Sequence, residues 1–322
     1  MRKALPGLLA AAAFFACSAA WGQEGFPARP VRIVSPFPAG GSVDLVARMI
    51  AAKLPEFLGQ QVVVENRSGA SGNIGTEVVA RAAPDGYTLL VNTIPFVANA
   101  FLYSRLPYDP LNDFVPVMQL SASPSMLAVH PSLPARSVKE LLALARAKPG
   151  QLNYGSAGPA TNPHIAGELF NLLGKVSIQA VHFKGGGPAI VAAISGEVEI
   201  LFTNFAETSE FAKSGRLRAL GVSGVKRMPT MPDVPTIAEA GVPGYEFTTW
   251  HGLWAPKNTP RPIVGLLNDR FRKAMTTPDQ QKRFQDRGLD IIASTPEDFA
   301  AHVQSEHKKW GRVIKERKMK AE

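Results

Sequence analysis

Cysteine is nearly missing from this sequence. The single one, Cys17, sits in a short apolar run near the N-terminus, so the rest of the chain can form no disulfide, thiolate nucleophile or cysteine-ligated metal centre. Long apolar runs are missing too. The only candidate, Leu5–Ala16, is too short to span a bilayer comfortably. Catalytic signatures are equally scarce. There is no Gly-x-Ser-x-Gly elbow, no His-Glu-x-x-His, and no glycine loop with the lysine or the spacing of a nucleotide site. The six histidines are scattered, with no pair at ligand spacing on one helix except His302 and His307, which are five apart. Neither a cofactor nor a metal is expected, and catalysis is not.

The N-terminus itself is informative. Arg2 and Lys3 precede the apolar run, and small residues follow from Ser18 to Gly22. Basic, apolar and small in that order is the layout of a secretory signal. Residues 1–22 are therefore read as a cleaved leader, with the cut after Gly22, or after Ala20 as a close second. Lipidation at Cys17 is disfavoured by Phe14 and Phe15 just upstream. An exported, disulfide-free chain must be stable through its core alone, which suits a bacterial periplasm. The formal net charge of +9 falls to +7 without Arg2 and Lys3. Such a field favours anionic ligands, and export takes nucleic acid out of reach. Much of the excess is C-terminal, from Lys308 to Lys320, and reads as a solvated helix face.

Strand and helix patterns alternate through the mature chain. Val31–Phe37 reads as a strand, and Val43, Val46, Ala47 and Ile50 recur at helical spacing after Gly41 or Ser42. Gln61–Asn66 and Tyr87–Thr93 are further strands, with the helix Ile74–Ala82 between them. Phe114–Leu120 and Ser125–His130, separated only by Ser121–Pro124, form one extended segment passing from a first domain into a second. There the alternation restarts: strands at Gln151–Ser156, Val176–Phe183, Val198–Phe205 and Leu217–Ser223, helices at Val138–Ala147, Thr161–Leu173 and Pro188–Ser195. Met228–Gly244 is irregular, Glu246–Pro256 is a second crossing, and the remainder is helical, with an apolar stripe of Phe299, Val303, Trp310 and Ile314. This pattern predicts an α/β protein of two lobes, each with a mainly parallel five-stranded sheet. Residues 27–121 plus 246–322 make one lobe and 122–245 the other.

Two loops carry the expected chemistry. Phe37-Pro38-Ala39-Gly40-Gly41-Ser42 and Gly155-Ser156-Ala157-Gly158-Pro159-Ala160-Thr161 each follow a strand and open a helix. A helix start offers unpaired N–H groups and partial positive charge, and so holds a carboxylate without Arg or Lys. Glycines 40 and 41 would let the backbone approach a ligand closely. Thr93 and Asn204, at the ends of their strands, join the candidate set. His164, in the first turn after the second loop, is placed to pack or to touch ligand, and Asp44 to serve the helix dipole or a ligand amino group. Gly69–Gly75 and Gly185–Gly187 are read as tight turns and caps, Trp250 and Trp254 as core.

These residues have a family likeness. The chain resembles the substrate-binding proteins of tripartite tricarboxylate transporters, the Bug-type family. The resemblance is carried by Phe37–Gly41 with Asp44 and Arg48, Val64–Gly72, Pro84–Leu89, Leu106–Asp109, Tyr154–Ser156 with His164, Asp233–Thr236, and Trp250 with Gly252 and Ala255-Pro256. It implies a two-lobed flytrap fold, monomeric, that captures small carboxylates or amide metabolites for membrane transporter subunits. It also implies that the loops at Pro38–Gly41 and Ser156–Thr161 hold the ligand carboxylate. Ala160 stands where that family usually has glycine, and Pro159 is unexpected there. A sensor feeding a membrane kinase shares every one of these features; an exported hydrolase is the more distant alternative.

Overall fold

The structure is a computed structural model that describes residues 25–317, 319 and 320; the leader expected at residues 1–22, with Cys17, lies outside them. The first lobe opens with β1 (Val31–Ser35), α1 (Ser42–Ala51), α2 (Pro55–Leu58), β2 (Val62–Asn66), α3 (Asn73–Ala80), β3 (Thr88–Asn92) and α4 (Pro95–Leu102). A 16-residue strand, β4 (Phe114–Val129), then leaves for the second lobe. That lobe holds α5 (Val138–Ala147), β5 (Asn153–Ser156), α6 (Asn162–Gly174), β6 (Gln179–His182), α7 (Gly186–Ser195), β7 (Ile200–Asn204), α8 (Phe205–Lys213) and β8 (Arg218–Val222). The chain returns on β9 (Thr248–Pro256) and ends with α9 (Arg261–Met275), α10 (Pro278–Gln285), β10 (Asp290–Ile291) and α11 (Pro296–Arg317).

Parallel pairing is narrower than the sequence predicts. It covers β2-β1-β3 in one lobe and β6-β5-β7 in the other, while every pairing that involves β4 or β9 is antiparallel. The reason is topological. A chain that crosses on β4 and returns on β9 runs the two strands in opposite senses, and β9 then inserts between β3 and β4. The sheets are thus mixed, each built on a parallel triplet.

β4 changes partners midway. Residues 114–124 pair with β9, and residues 125–129 pair with β7 and β8. Two register shifts against β9, between Pro116 and Met118 and between Gln119 and Ser121, interrupt the ladder where bulges bend a strand. Pro116 lies at one of them and Pro124 at the last β9 pair, places where a missing N–H costs least. Ser121 Oγ lies 3.2 Å from His251 Nδ1 across the two crossing strands. His251 is fully buried, and burial pushes its imidazole down to about 3.

The terminal helices close the first lobe. Leu267 and Phe271 of α9 pack with Val46 and Ile50 of α1 and with Leu89 and Val91 of β3. On the other face Phe299, Val303, Trp310 and Ile314 of α11 join Trp250, Trp254 and Phe96. Both Trp250 and Trp310 donate their indole N–H to Glu306 Oε2, at 2.9 and 2.7 Å, so the two tryptophans are anchored core groups. Four elements escape the sequence reading. α2 has only four residues, α4 is apolar but for Asn99, α8 begins on the last residue assigned to a strand, and β10 has only two residues. Among the described residues no helix is long and apolar enough to cross a membrane.

Candidate functional site

Between the lobes lies a cavity of about 150 Å³. Cavities of that size hold a molecule about as large as benzene in other proteins. Five helices begin at its wall: α1 and α4 from the first lobe, α6, α7 and α8 from the second, represented there by Ser42, Pro95, Asn162, Gly186 and Asn204. No Lys or Arg lines it. An anion placed there would meet oriented main-chain dipoles from both sides.

Phe37, Pro38, Ala39, Gly40, Gly41, Thr93, Thr161 and Asn204 all line this cavity. Asp44, Ser156, Gly158 and His164 do not; they stand behind the two loops and shape them. Asp44 is 3% exposed, and its carboxylate accepts from the Gly40 N–H at 2.9 Å, from Arg48 Nε at 2.9 and 3.0 Å, and from Asn66 Nδ2 at 2.8 Å. Asn66 also donates to the Phe37 carbonyl at 3.0 Å, tying the loop to β2. Burial alone would raise the Asp44 carboxyl; Arg48, the Gly40 N–H and Asn66 outweigh it and hold it below the ordinary range. The counter-charge role for a ligand amino group is corrected accordingly, since its lone pairs are spent inside the loop.

The two glycines of that loop also differ. Gly40 has φ +87°, a left-handed conformation, and Gly41 has φ −77° with room for a Cβ 3.6 Å from the Pro38 carbonyl oxygen. Only Gly40 needs to be glycine for the backbone. Its N–H is taken by Asp44, and the Ser42 N–H faces the Glu207 carboxyl, so Gly41 between them is the loop residue whose N–H is left for a ligand.

The second loop is held without charge. Ser156 Oγ donates to the Gly158 carbonyl at 2.9 Å, Thr161 Oγ1 donates to the same oxygen at 2.7 Å, and the Ala160 N–H donates to His164 Nδ1 at 3.0 Å. His164 packs edge-on against His182 at 4.8 Å. Burial, and secondarily His182, bring the His164 imidazole down to about 4, so it is a neutral acceptor at physiological pH. Gly158 has φ +129°, and Ala160, with φ +57°, sits in a region that glycine enters freely. Pro159 presents its carbonyl to Ser71 Oγ of the first lobe, within hydrogen-bond distance. The Gly69–Gly75 segment therefore contributes a contact between the lobes as well as a turn.

Several cavity residues were not legible as such. Gly185, Gly186 and Gly187, read as a turn and cap, do open α7, with Gly185 as its N-cap, but they also line the cavity, where Gly185 lies beside the Pro38 ring. They follow a strand and open a helix, the same signal that marked the other two loops, and starting the helix at Pro188 hid it. Asn162, Thr203, Glu207 and Thr249 had no signal of their own. Asn162 Nδ2 donates to Thr93 Oγ1 across the lobes at 3.1 Å, and Thr203 Oγ1 donates to Glu207 at 2.7 Å. Asn162 Oδ1, Asn204 Nδ2 and Thr249 Oγ1 are buried with no partner in the protein. Orphaned polar atoms on a cavity wall are the groups a polar ligand would satisfy.

A closed cleft between two lobes joined by two crossing strands, walled by helix starts, defines a bilobed solute-binding protein. The chain belongs to the tripartite tricarboxylate transporter receptor family, whose model matches residues 46–319. The Protein BugT of Bordetella pertussis is 36% identical over 293 residues, 90% of this chain and 90% of that protein. The adipate-bound structure of Rpa4515 from R. palustris superposes with a TM-score of 0.88 at 37% identity, covering 92% of this chain and 99% of that one. MatC from Rhodopseudomonas palustris, solved with malate, gives a TM-score of 0.85 at 35% identity over 90% of this chain and all of that one. The family is one of periplasmic receptors.

Proposed function

We propose that this protein is exported through a cleaved leader at residues 1–22, captures a small carboxylate or amide metabolite in the interlobe cavity, and hands it to the membrane subunits of a tripartite tricarboxylate-type transporter without acting on it chemically. The lobes are taken as residues 27–121 with 246–322, and 122–245, and the protein works as a monomer. The observation that carries this reading is the convergence of five helix starts on a cavity with no cationic side chain. Phe37–Gly41, Thr93, Thr161 and Asn204 form the ligand wall, while Asp44, Ser156, Gly158 and His164 fix its shape. Adipate and malate in the related structures support a small carboxylate as the ligand class.

A thermal-shift screen of small carboxylates and amides on refolded, ligand-free protein tests it. A true ligand stabilises the folded state by mass action, about 2.7 kcal/mol at a hundredfold excess over its dissociation constant. A broad panel in which nothing raises the melting temperature contradicts the reading.

A further inference from the structure

Among the described residues one ionisable side chain lines the cavity, and it is acidic: Glu207, in the first turn of α8. Its Oε2 accepts from Thr203 Oγ1, and a Cβ built on Gly186, at the start of α7, would lie 3.0 Å from the same oxygen. The Ser42 N–H at the start of α1 faces the carboxyl from the other lobe. Glu207 therefore sits where the starts of three helices meet, a position that would otherwise receive part of an anionic ligand. It also lines an outer groove together with Arg216 and Arg287, so it stands between the cavity and those two cationic side chains.

We propose that Glu207 sets the polarity of the ligand's second end: the site takes a small monocarboxylate whose other end donates a hydrogen bond, as an ammonium, amide or hydroxyl group does, and discriminates against one that ends in a second ionised carboxylate. This rests on the cavity being the ligand site. The carboxylate end has its own donors in Asn204 Nδ2 and Thr249 Oγ1, both without a partner in the protein. In a cavity of about 150 Å³ a five-carbon ligand touches every wall, Glu207 included. There an ammonium or amide gains a hydrogen bond to a charged acceptor, whereas a second carboxylate meets a like charge in a partly desolvated setting. Burial raises the Glu207 carboxyl, against the smaller opposing effects of Thr203 and Ser42, and a second ionised carboxylate beside it would raise it further.

Calorimetry at pH 7.5 on ligand-free wild-type protein and Glu207→Gln, with glutarate, glutarate monoamide and 5-aminopentanoate as probes, decides it. Glutamine keeps the shape and can still accept from Thr203, and an unchanged melting temperature of the unliganded variant checks that the fold is kept. In the wild type the monoamide and the aminopentanoate should bind at least about tenfold more tightly than glutarate, the lower end of what a hydrogen bond to a charged group confers. In Glu207→Gln glutarate should gain about tenfold and the aminopentanoate lose as much. If wild type prefers glutarate, or if the substitution weakens all three equally, Glu207 is a strut between the lobes and the inference is wrong. If none of the three binds either protein while another small acid from the screen does, the cavity reading survives and this ligand class falls; if no acid binds at all, both fall.

Discussion

The loop at Pro38–Gly41 and the loop at Gly158–Thr161 face each other across one cavity and are built by opposite means. The first is braced by a charged network, in which Asp44 gathers the Gly40 N–H, Arg48 and Asn66. The second is braced by neutral groups, two hydroxyls on one carbonyl and an imidazole that accepts a single N–H. The first loop places its left-handed turn on a glycine, and the second places one of its own on Ala160. Both arrangements deliver a helix start to the ligand, so the anion site constrains where main-chain N–H groups end up and leaves the bracing free to vary.

The largest effect should come from Gly41→Val. The backbone at Gly41 accepts a side chain, but that side chain would occupy the cavity. Overpacking of this kind costs about 1–3 kcal/mol, so binding should weaken by roughly tenfold to more than a hundredfold while the melting temperature of the unliganded protein barely moves. Calorimetry beside a melting curve checks both halves. Intact binding would place the ligand elsewhere.

Acid should separate the two loops next. His164 has a folded value of about 4 against an ordinary 6.5, so between these the unfolded chain binds the extra proton and stability falls with pH. The loss accumulates to about 2–3 kcal/mol at pH 4. His164→Gln should reduce that part of the slope, leaving what His251, His182, His302 and His307 contribute in the same sense. Asp44 behaves in the reverse sense. Its folded value lies below the ordinary 3.8, so the stability it confers is present above that pH and is lost only as pH falls further. Chemical denaturation from pH 7.5 to 4 should therefore be altered by His164→Gln and little altered in slope by Asp44→Asn. Equal slopes in wild type and His164→Gln would remove the neutral-imidazole account of the second loop.

Backbone conformation gives the smallest contrast. Gly40→Ala meets no atom within 4 Å, yet it forces alanine into the left-handed region and should cost about 1 kcal/mol. Ala160→Gly relieves the same strain and adds unfolded-state freedom, so it should be neutral to slightly stabilising, within about 1 kcal/mol. Urea melts of both variants check the opposite signs.

Much of this was legible in the residues. The two crossings were plain because Ser121–Pro124 breaks no extended pattern and Glu246–Pro256 stands clear of a proline-rich stretch. Eight of the candidate residues lie on the cavity because strand–glycine–helix is a local signal. What was hidden depends on tertiary placement. Asp44 looked available at a helix start until Arg48 and Asn66, the latter 22 residues away, were seen to take its oxygens. Thr249 lies on β9 and reaches the cavity only because that strand inserts next to β3. Glu207 sat in a helix whose polar Glu-Thr-Ser-Glu stretch carries no amphipathic pattern and was not recognised as a helix.

The account holds that an anion is bound here by helix starts from both lobes and by no cationic side chain. A crystal structure of the complex with the tightest-binding acid from the screen tests that most directly. The carboxylate should lie in the cavity within about 3 Å of main-chain N–H groups of α1, with Asn204 Nδ2 or Thr249 Oγ1 as side-chain donors and no Lys or Arg in contact. A carboxylate paired instead with Arg216 or Arg287 in the outer groove would contradict it.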